Sequence, residues 1–397
     1  MYFGLRILDF GFGGNDTFSE HNTMTKHDTT FRQTGRWAVL LAFVAAVAMA
    51  AGIQWAGGLT TDSAPAAGDG PQRSSKPAEF RGITLQLHSG EDCDQYDKVI
   101  DEIAANSTAN TLALTVFGYQ ENCQSSSIFI DQRRTPGKTH LKRLIKHAQD
   151  KGLKVTLMPI VLLENPGQSE WRGKIDPKEK WAAWWEDYGH FILYFAQIAQ
   201  DSSVDVLIVG SELVSTEKRT DDWRTLIRQV RETYKGRIGY SANWDHYEVP
   251  EFWDDLDLIG MTTYYELAGR DAKPTVDDLK TKWAGIRSNI LKWQAKVKRP
   301  IIFTEVGWPN QVSAAWEPWN YYRSMDKPDA ELQARCFQAF FETWENDPDV
   351  AGFLVWEWRQ GPDDLNGDPQ KDTSYVPYGK PAMKVINDFF KRISKEP

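Results

Sequence analysis

Two glutamates stand where a carboxylate is costly. Glu212 closes the apolar run DVLIVGSEL (205–213), and Glu305 sits near the end of PIIFTEVGW (300–308). A charge in such surroundings is unfavourable unless it has a partner or a task. Either one alone reads as a salt-bridged strand-end residue. Two of them facing each other across a cleft are what cleavage of a glycosidic bond requires. One carboxyl must be protonated to release the leaving sugar, and the other must be ionised to attack the anomeric carbon. Glu357 also ends an apolar run, between Trp356 and Trp358, and side-chain alternation turns it toward the outside of a sheet.

Something must hold the two glutamates in place. Near-continuous apolar runs of strand length occur at 81–87, 111–119, 154–163, 205–213, 237–244, 256–265, 300–308 and 351–358. Such runs suit parallel strands covered on both faces. Amphipathic, charge-laced segments separate them at 96–105, 139–151, 178–200, 221–234, 275–297, 329–345 and 381–393. Gly152, Gly236 and Pro300 mark helix-to-strand returns. The segment 249–255 is short for a helix, which makes the unit after the fifth run the weakest. Eight strands alternating with helices predict an α/β fold, a (β/α)8 TIM barrel. The rival, an open doubly wound sheet, lacks its Gly-rich phosphate loop after the first run. In a barrel the chemistry gathers at the C-terminal strand ends. Those ends hold His88, Phe117, Tyr119, Glu164, Asn165, Ser211-Glu212, Asn243-Trp244-Asp245-His246, Tyr264-Tyr265, Glu305 with Trp308, and Trp356-Glu357-Trp358.

The barrel does not start at the first residue. Residues 1–36 carry no sustained period. Residues 37–53 then read WAVLLAFVAAVAMAAGI, 17 residues without a charge, at the short end of a membrane-spanning helix. Lys26, Arg32 and Arg36 precede it, which keeps that side cytoplasmic and exports the downstream chain. Ala48-Met49-Ala50 offers a signal-peptidase pattern, and Met24 offers a second start. The length of the run and of its leader favour a retained anchor over cleavage. The expected organisation is an irregular segment at 1–36, an anchor or signal at 37–56, a Pro/Ser/Ala/Gly-rich tether at 57–78, and the barrel at 79–397. The product would be extracytoplasmic, secreted or tethered to the membrane.

Composition narrows the partners. There are 46 Lys and Arg against 55 Asp and Glu, a net charge of −9, which opposes nucleic-acid binding. The 17 tryptophans supply flat apolar area with one polar edge. Trp181, Trp184 and Trp185 fall at helical spacing and read as packing, as do Trp223, Trp253, Trp283, Trp293 and Trp344. Trp316 and Trp319 lie in the long connection after the seventh run. Cys93 and Cys123 follow adjacent strands and could pair if the barrel is exported, whereas Cys336 reads as a small buried hydrophobe. The acidic stretch 363–368 hints at calcium, but its glycine falls too early and no Glu closes it, so a solvated turn is preferred.

The motifs VGSEL (209–213), MTTYY (261–265), FTEVGWP (303–309) and VWEWR (355–359) resemble the clan of retaining (β/α)8 glycosidases, and most nearly glycoside hydrolase family 113, the β-mannanases. The likeness spans about residues 80–393. It implies that Glu212 is the acid/base and Glu305 the nucleophile, that Tyr264 or Tyr265 hydrogen-bonds the nucleophile, and that Trp356 or Trp358 is the sugar platform. Most of the clan has Asn before the acid/base. This chain has Ser211, a departure that family 113 is understood to share. His88, Ser211, Asn243, Trp244 and Trp308 are the other expected sugar contacts.

The expected enzyme is a retaining β-glycosidase of endo-β-1,4-mannan type. Neither motif nor spacing reports the sugar's C2 configuration, so glucan, xylan or a cell's own exopolysaccharide stays open. A non-catalytic carbohydrate-binding barrel at the cell surface is the rival from another class. Double displacement needs no metal or cofactor, and a monomer that binds an oligo- or polysaccharide is expected.

Overall fold

The apolar runs become parallel strands because each is covered on both faces. In the computed structural model these are β1 (Phe80–Gln86), β2 (Thr111–Gln120), β4 (Lys154–Leu163), β5 (Val206–Ser211), β6 (Arg237–Ala242), β7 (Leu258–Thr262), β8 (Ile301–Val306) and β9 (Val350–Val355). They hydrogen-bond in the order β1-β9-β8-β7-β6-β5-β4-β2, and β2 pairs back onto β1 to close the barrel. A two-residue strand, β3 (Ile128–Phe129), runs antiparallel on the upper end of β2. The structure describes residues 78–320, 327–360 and 368–394, all within one compact unit. The expected irregular segment, anchor and tether lie outside the described residues apart from Ala78, as does most of the acidic stretch 363–368. Among the described residues no helix is long and apolar enough to cross a membrane.

Two layers of core result. Phe80, Ala113, Phe117, Met158, Ile160, Val206, Ile208, Leu258, Ile302 and Leu354 fill the barrel interior. The outward strand faces pack against α1 (Cys93–Asn106), α2 (Lys138–Asp150), α3 (Trp181–Asp201), α4 (Thr220–Thr233), α5 (Val276–Val297), α6 (Ala330–Trp344) and α7 (Pro381–Ile393). Between β6 and β7 there is only a 3-10 turn, Trp253–Asp255, in line with the weakness expected there. Arg224 holds that turn through Asp254 (2.8 Å) and Asp255 (2.6 Å).

The helix tryptophans pack as their spacing indicates. Trp184 is fully buried and stacks on Tyr188 at 4.8 Å, while Trp185 meets Trp223 edge-on. Trp223, Trp283 and Trp344 are also fully buried. The close approach of α3 needs a glycine: a Cβ on Gly118 of β2 would lie 2.5 Å from the Phe191 ring.

The expected disulfide does not form, for Cys93, Cys123 and Cys336 are all free and buried. Cys93 opens α1 and points its thiol at the Gly90 carbonyl (3.2 Å). Cys123 sits beyond β2 and faces the Trp171 carbonyl (3.6 Å). Adjacent strands brought the two cysteines to the same end of the barrel, but each is turned to a different loop.

Candidate active site

β5 and β8 both lose regular pairing just before their glutamates. Along β5–β6, Ile208 pairs with Gly239 and the next partners are Ser211 and Ser241, which leaves one extra residue on β5. Along β7–β8, Met261 pairs with Phe303 and the next partners are Thr262 and Glu305, so Thr304 is extra on β8. Such bulges re-aim side chains next to sites. Thr304 keeps an inward place, bonded to Ser241 at 2.6 Å, and Glu305 turns inward beside it. Glu212 completes its own turn with a left-handed backbone, φ 52°, a conformation that costs a non-glycine residue free energy and gathers at functional sites. Its N–H donates to the Ser241 carbonyl at 2.8 Å.

Both carboxyls are buried, Glu212 at 7% and Glu305 at 3% exposure. The Arg172 guanidinium, on a 3-10 turn after β4, donates to Glu212 Oε2 at 2.6 Å and to the Ser211 carbonyl at 3.2 Å. Thr262 Oγ1 lies 3.3 Å from Glu212 Oε1 and accepts the Trp244 N–H at 3.0 Å. Tyr264 Oη donates to Glu305 Oε2 at 2.8 Å, and Thr263 fixes the Glu305 backbone carbonyl. Glu305 Oε1 is buried and accepts no hydrogen bond among the described residues. Burial and the negative charge of Glu212 push the Glu305 carboxyl up to about 8, with Arg172 and the Tyr264 hydroxyl opposing them. The tyrosine that reaches the nucleophile candidate is thus Tyr264. Tyr265 instead donates to the Trp244 carbonyl at 2.6 Å.

A third carboxylate belongs to the mouth. Glu357 accepts a hydrogen bond from Gln86 Nε2, and Gln86 in turn meets His88 Nε2 at 3.0 Å. Burial raises the Glu357 carboxyl to about 7, and its charge reaches Glu305. The expectation that it faces the helices is corrected, because β9 ends at Val355 and alternation does not carry past that point. His88 stacks on Phe117 at 4.2 Å and is kept neutral, pushed down to about 4 by burial and then by Arg134.

Trp356 is half-buried over the interior core. Gly307 lets its strand end approach β8, for a Cβ there would lie 2.4 Å from the Trp356 carbonyl. Two expected sugar contacts are corrected. Trp308 is fully buried, edge-on to Trp283 and Phe337 between the barrel and its helices. Trp358 is fully buried against Tyr378. Both lie past the last paired residue of their strands and turn outward, so neither ring offers a face to a sugar. Asn243 sits above β6 with its amide on Asp245 (2.6 Å). Ser211 is buried with its hydroxyl unpartnered among the described residues.

Three groups that contact or brace the candidate site carry no mark in the sequence: Arg172, Gln86 and Glu217. Glu217 is fully buried, accepts from Tyr240 Oη at 2.9 Å and is pushed up to about 8, mainly by burial. Tyr240 Oη also receives the Leu213 N–H at 3.1 Å, so the pair anchors the residue after Glu212. A lone Arg or Glu in a polar loop carries no periodic signal that would mark it.

Comparison with known proteins bears on this arrangement. The family model described as Glycoside Hydrolase Family 113 matches residues 92–380. Among solved structures, the chain is similar to a GH113 β-1,4-mannanase at 26% identity and TM-score 0.71, covering 79% of this chain and 99% of that one. It is equally similar to the GH113 β-mannanase AaManA from Alicyclobacillus acidocaldarius in complex with ManMIm, at 26% identity and TM-score 0.71, covering 81% and 100%. A family 5 mannosidase from Rhizomucor miehei shares the fold at 11% identity and TM-score 0.56, covering 81% and 96%. Among curated proteins none matches by sequence.

Proposed function

Because the chain belongs to glycoside hydrolase family 113, we propose that this glycoside hydrolase cleaves β-1,4-mannan-type polysaccharide by double displacement, with Glu305 as nucleophile and Glu212 as acid/base. The observation that carries the reading is the buried pair itself: Glu305 has one oxygen on Tyr264 and the other without a hydrogen bond among the described residues, beside Glu212. Mannan is the substrate on the strength of the β-mannanases that match about four-fifths of the chain.

The steps follow from those positions. Glu305 Oε1 attacks the anomeric carbon as the glycosidic bond breaks, and Glu212 gives its proton to the departing oxygen. The sugar is then an ester of Glu305. Water enters, Glu212 takes its proton, and the hydroxyl displaces Glu305 with a second inversion, which nets retention. Attack needs Glu305 ionised against burial and the Glu212 charge, and Tyr264 and Arg172 are what favour that form. Trp356 is the half-buried ring on which the apolar face of the reacting sugar packs.

The test is a panel of mannan, glucan and xylan with proton NMR of the first products. Mannan cleaved to β-configured ends first is the expected result. Early α-configured ends would overturn retention, and cleavage of another glycan in its place would overturn the substrate.

A second expected result concerns Tyr264→Phe. Removing the hydroxyl takes away one of the two influences that lower Glu305, so the acid limb of kcat/KM moves to higher pH. A hydrogen bond to a charged group is worth about 1.5–3 kcal/mol, so kcat falls roughly ten- to hundredfold. A pH profile that does not move would separate Tyr264 from the nucleophile.

An extracytoplasmic enzyme, secreted or tethered to the membrane, is the reading that the uncharged run 37–53 behind Lys26, Arg32 and Arg36 supports. Fractionation of cells into membrane and soluble pools tests this.

A further inference from the structure

Glu217 is a fully buried carboxyl that the double displacement does not use. It follows the 3-10 turn Val214–Thr216, just past Glu212. The charges that reach it, those of Asp245 and Glu212, are both negative. A buried carboxyl in such company is costly unless it is neutral and has a task. Burial pushes it up to about 8, the Tyr240 hydroxyl opposes that rise, and Asp245 and Glu212 add to it. At neutral pH Glu217 therefore keeps its proton. Its Oε1 accepts from Tyr240 Oη at 2.9 Å, and its Oε2 has no hydrogen bond among the described residues.

Tyr240 connects this carboxyl to the acid/base. Its oxygen gives one hydrogen bond to Glu217 and receives another from the Leu213 N–H at 3.1 Å. That N–H belongs to the peptide after Glu212, while the peptide before Glu212 donates to the Ser241 carbonyl at 2.8 Å. Both amides that flank Glu212 are thus held by β6, and between them lies the left-handed φ of 52°. Such a conformation persists only where its surroundings over-determine it. The Tyr240 ring is fixed edge-on by Trp223 at 5.0 Å and Phe252 at 5.4 Å. The turn is closed from its other end, where the Leu213 carbonyl accepts from Thr216 N–H (2.8 Å) and Thr216 Oγ1 (2.7 Å).

A hydroxyl has one proton to place. With Glu217 as its acceptor, Tyr240 turns a lone pair to the Leu213 N–H. Without Glu217 the buried proton has no acceptor, and rotation in search of one sets it against the amide it now receives.

We propose that Glu217 is a positioning residue for proton transfer: by orienting the Tyr240 hydroxyl it holds the strained peptide after Glu212, and so aims the Glu212 carboxyl at the departing oxygen. This rests on Glu212 being the acid/base. The neutral form suits the role, because it accepts from Tyr240 without adding a negative charge beside Glu212 and Asp245.

The experiment compares phenyl β-mannobioside, whose aglycone departs with a proton, and dinitrophenyl β-mannobioside, whose aglycone departs without one. The two aglycones bind through rings of similar size, so the ratio of their kcat/KM values reports proton donation. In Glu217→Ala and in Tyr240→Phe the phenyl-to-dinitrophenyl ratio is expected to fall roughly tenfold, a part of the loss for a missing general acid. Glu217→Gln, which copies the protonated acid and still accepts from Tyr240, should keep the wild-type ratio. Tyr240→Phe preserves the ring and its packing, so it decides the matter should Glu217→Ala not fold. An unchanged ratio in Tyr240→Phe, or an equal loss on both glycosides, would overturn the inference. Glu212→Ala is the control, with a larger fall expected. A ratio unmoved in that control would instead overturn the acid/base assignment, and the positioning role with it. Wild-type enzyme inert on both glycosides would overturn the mannoside reading on which both stand.

Discussion

Glu305→Ala is expected to lower kcat on mannan by roughly 10⁴- to 10⁶-fold, because no other group can form the covalent intermediate. Azide added to that variant should restore turnover and yield an α-azide, as a small anion enters from the face the carboxylate occupied. Turnover left intact would sink the assignment of the nucleophile. The same position also bears on stability. The folded protein holds the Glu305 carboxyl at about 8, against 4.5 without its surroundings. Between those values the folded state binds a proton that the unfolded state has released. Stability therefore falls as pH rises through that window, and the loss is complete above it. Glu305→Gln, which cannot ionise but can still accept from Tyr264, should raise Tm by a few degrees at pH 8 to 9. Near pH 4 it should match the wild type. Calorimetry at the two pH values decides this, and a variant less stable at high pH would contradict it.

Glu212→Ala is expected to lower kcat/KM on mannan by roughly 10²- to 10⁴-fold, the range for a lost general acid. Glycosyl fluorides leave without a proton, so their first step should be far less affected. Azide should then give a β-azide, the retained product, since Glu305 still forms the ester. Glu212 is the largest charge that raises Glu305. Its removal should move the acid limb of the profile on the fluoride to lower pH, opposite to the effect of Tyr264→Phe. Equal losses on mannan and fluoride would mean that Glu212 is not the proton donor.

Much of this protein was readable from the order of its residues. Runs that are apolar on both faces could only be covered strands, and 154–163 became β4 residue for residue. The amphipathic stretch 381–393 became α7 with the same bounds. The short segment 249–255 yielded one turn, since it holds Pro250 and too few residues for a helix that spans the barrel. The tryptophans at helical spacing had nowhere to go but the helix-to-barrel interface. Glu212 and Glu305 stood out because a carboxylate at the end of an apolar run needs a reason.

What only the tertiary structure decided lies within a few residues of the strand ends. Alternation assigns a face only while pairing is regular, and an extra residue shifts the phase by one. The bulges in β5 and β8 turn Glu212 and Glu305 into the barrel. The end of β9 at Val355 frees Glu357 to join Gln86 at the mouth, and the outward turns after β8 and β9 bury Trp308 and Trp358. Arg172 reaches Glu212 from a position 40 residues earlier in the chain, a contact that no local pattern encodes. Residue type thus determined that a carboxylate pair would exist in a barrel. The pleat, its interruptions and the folding of distant loops determined which groups meet it.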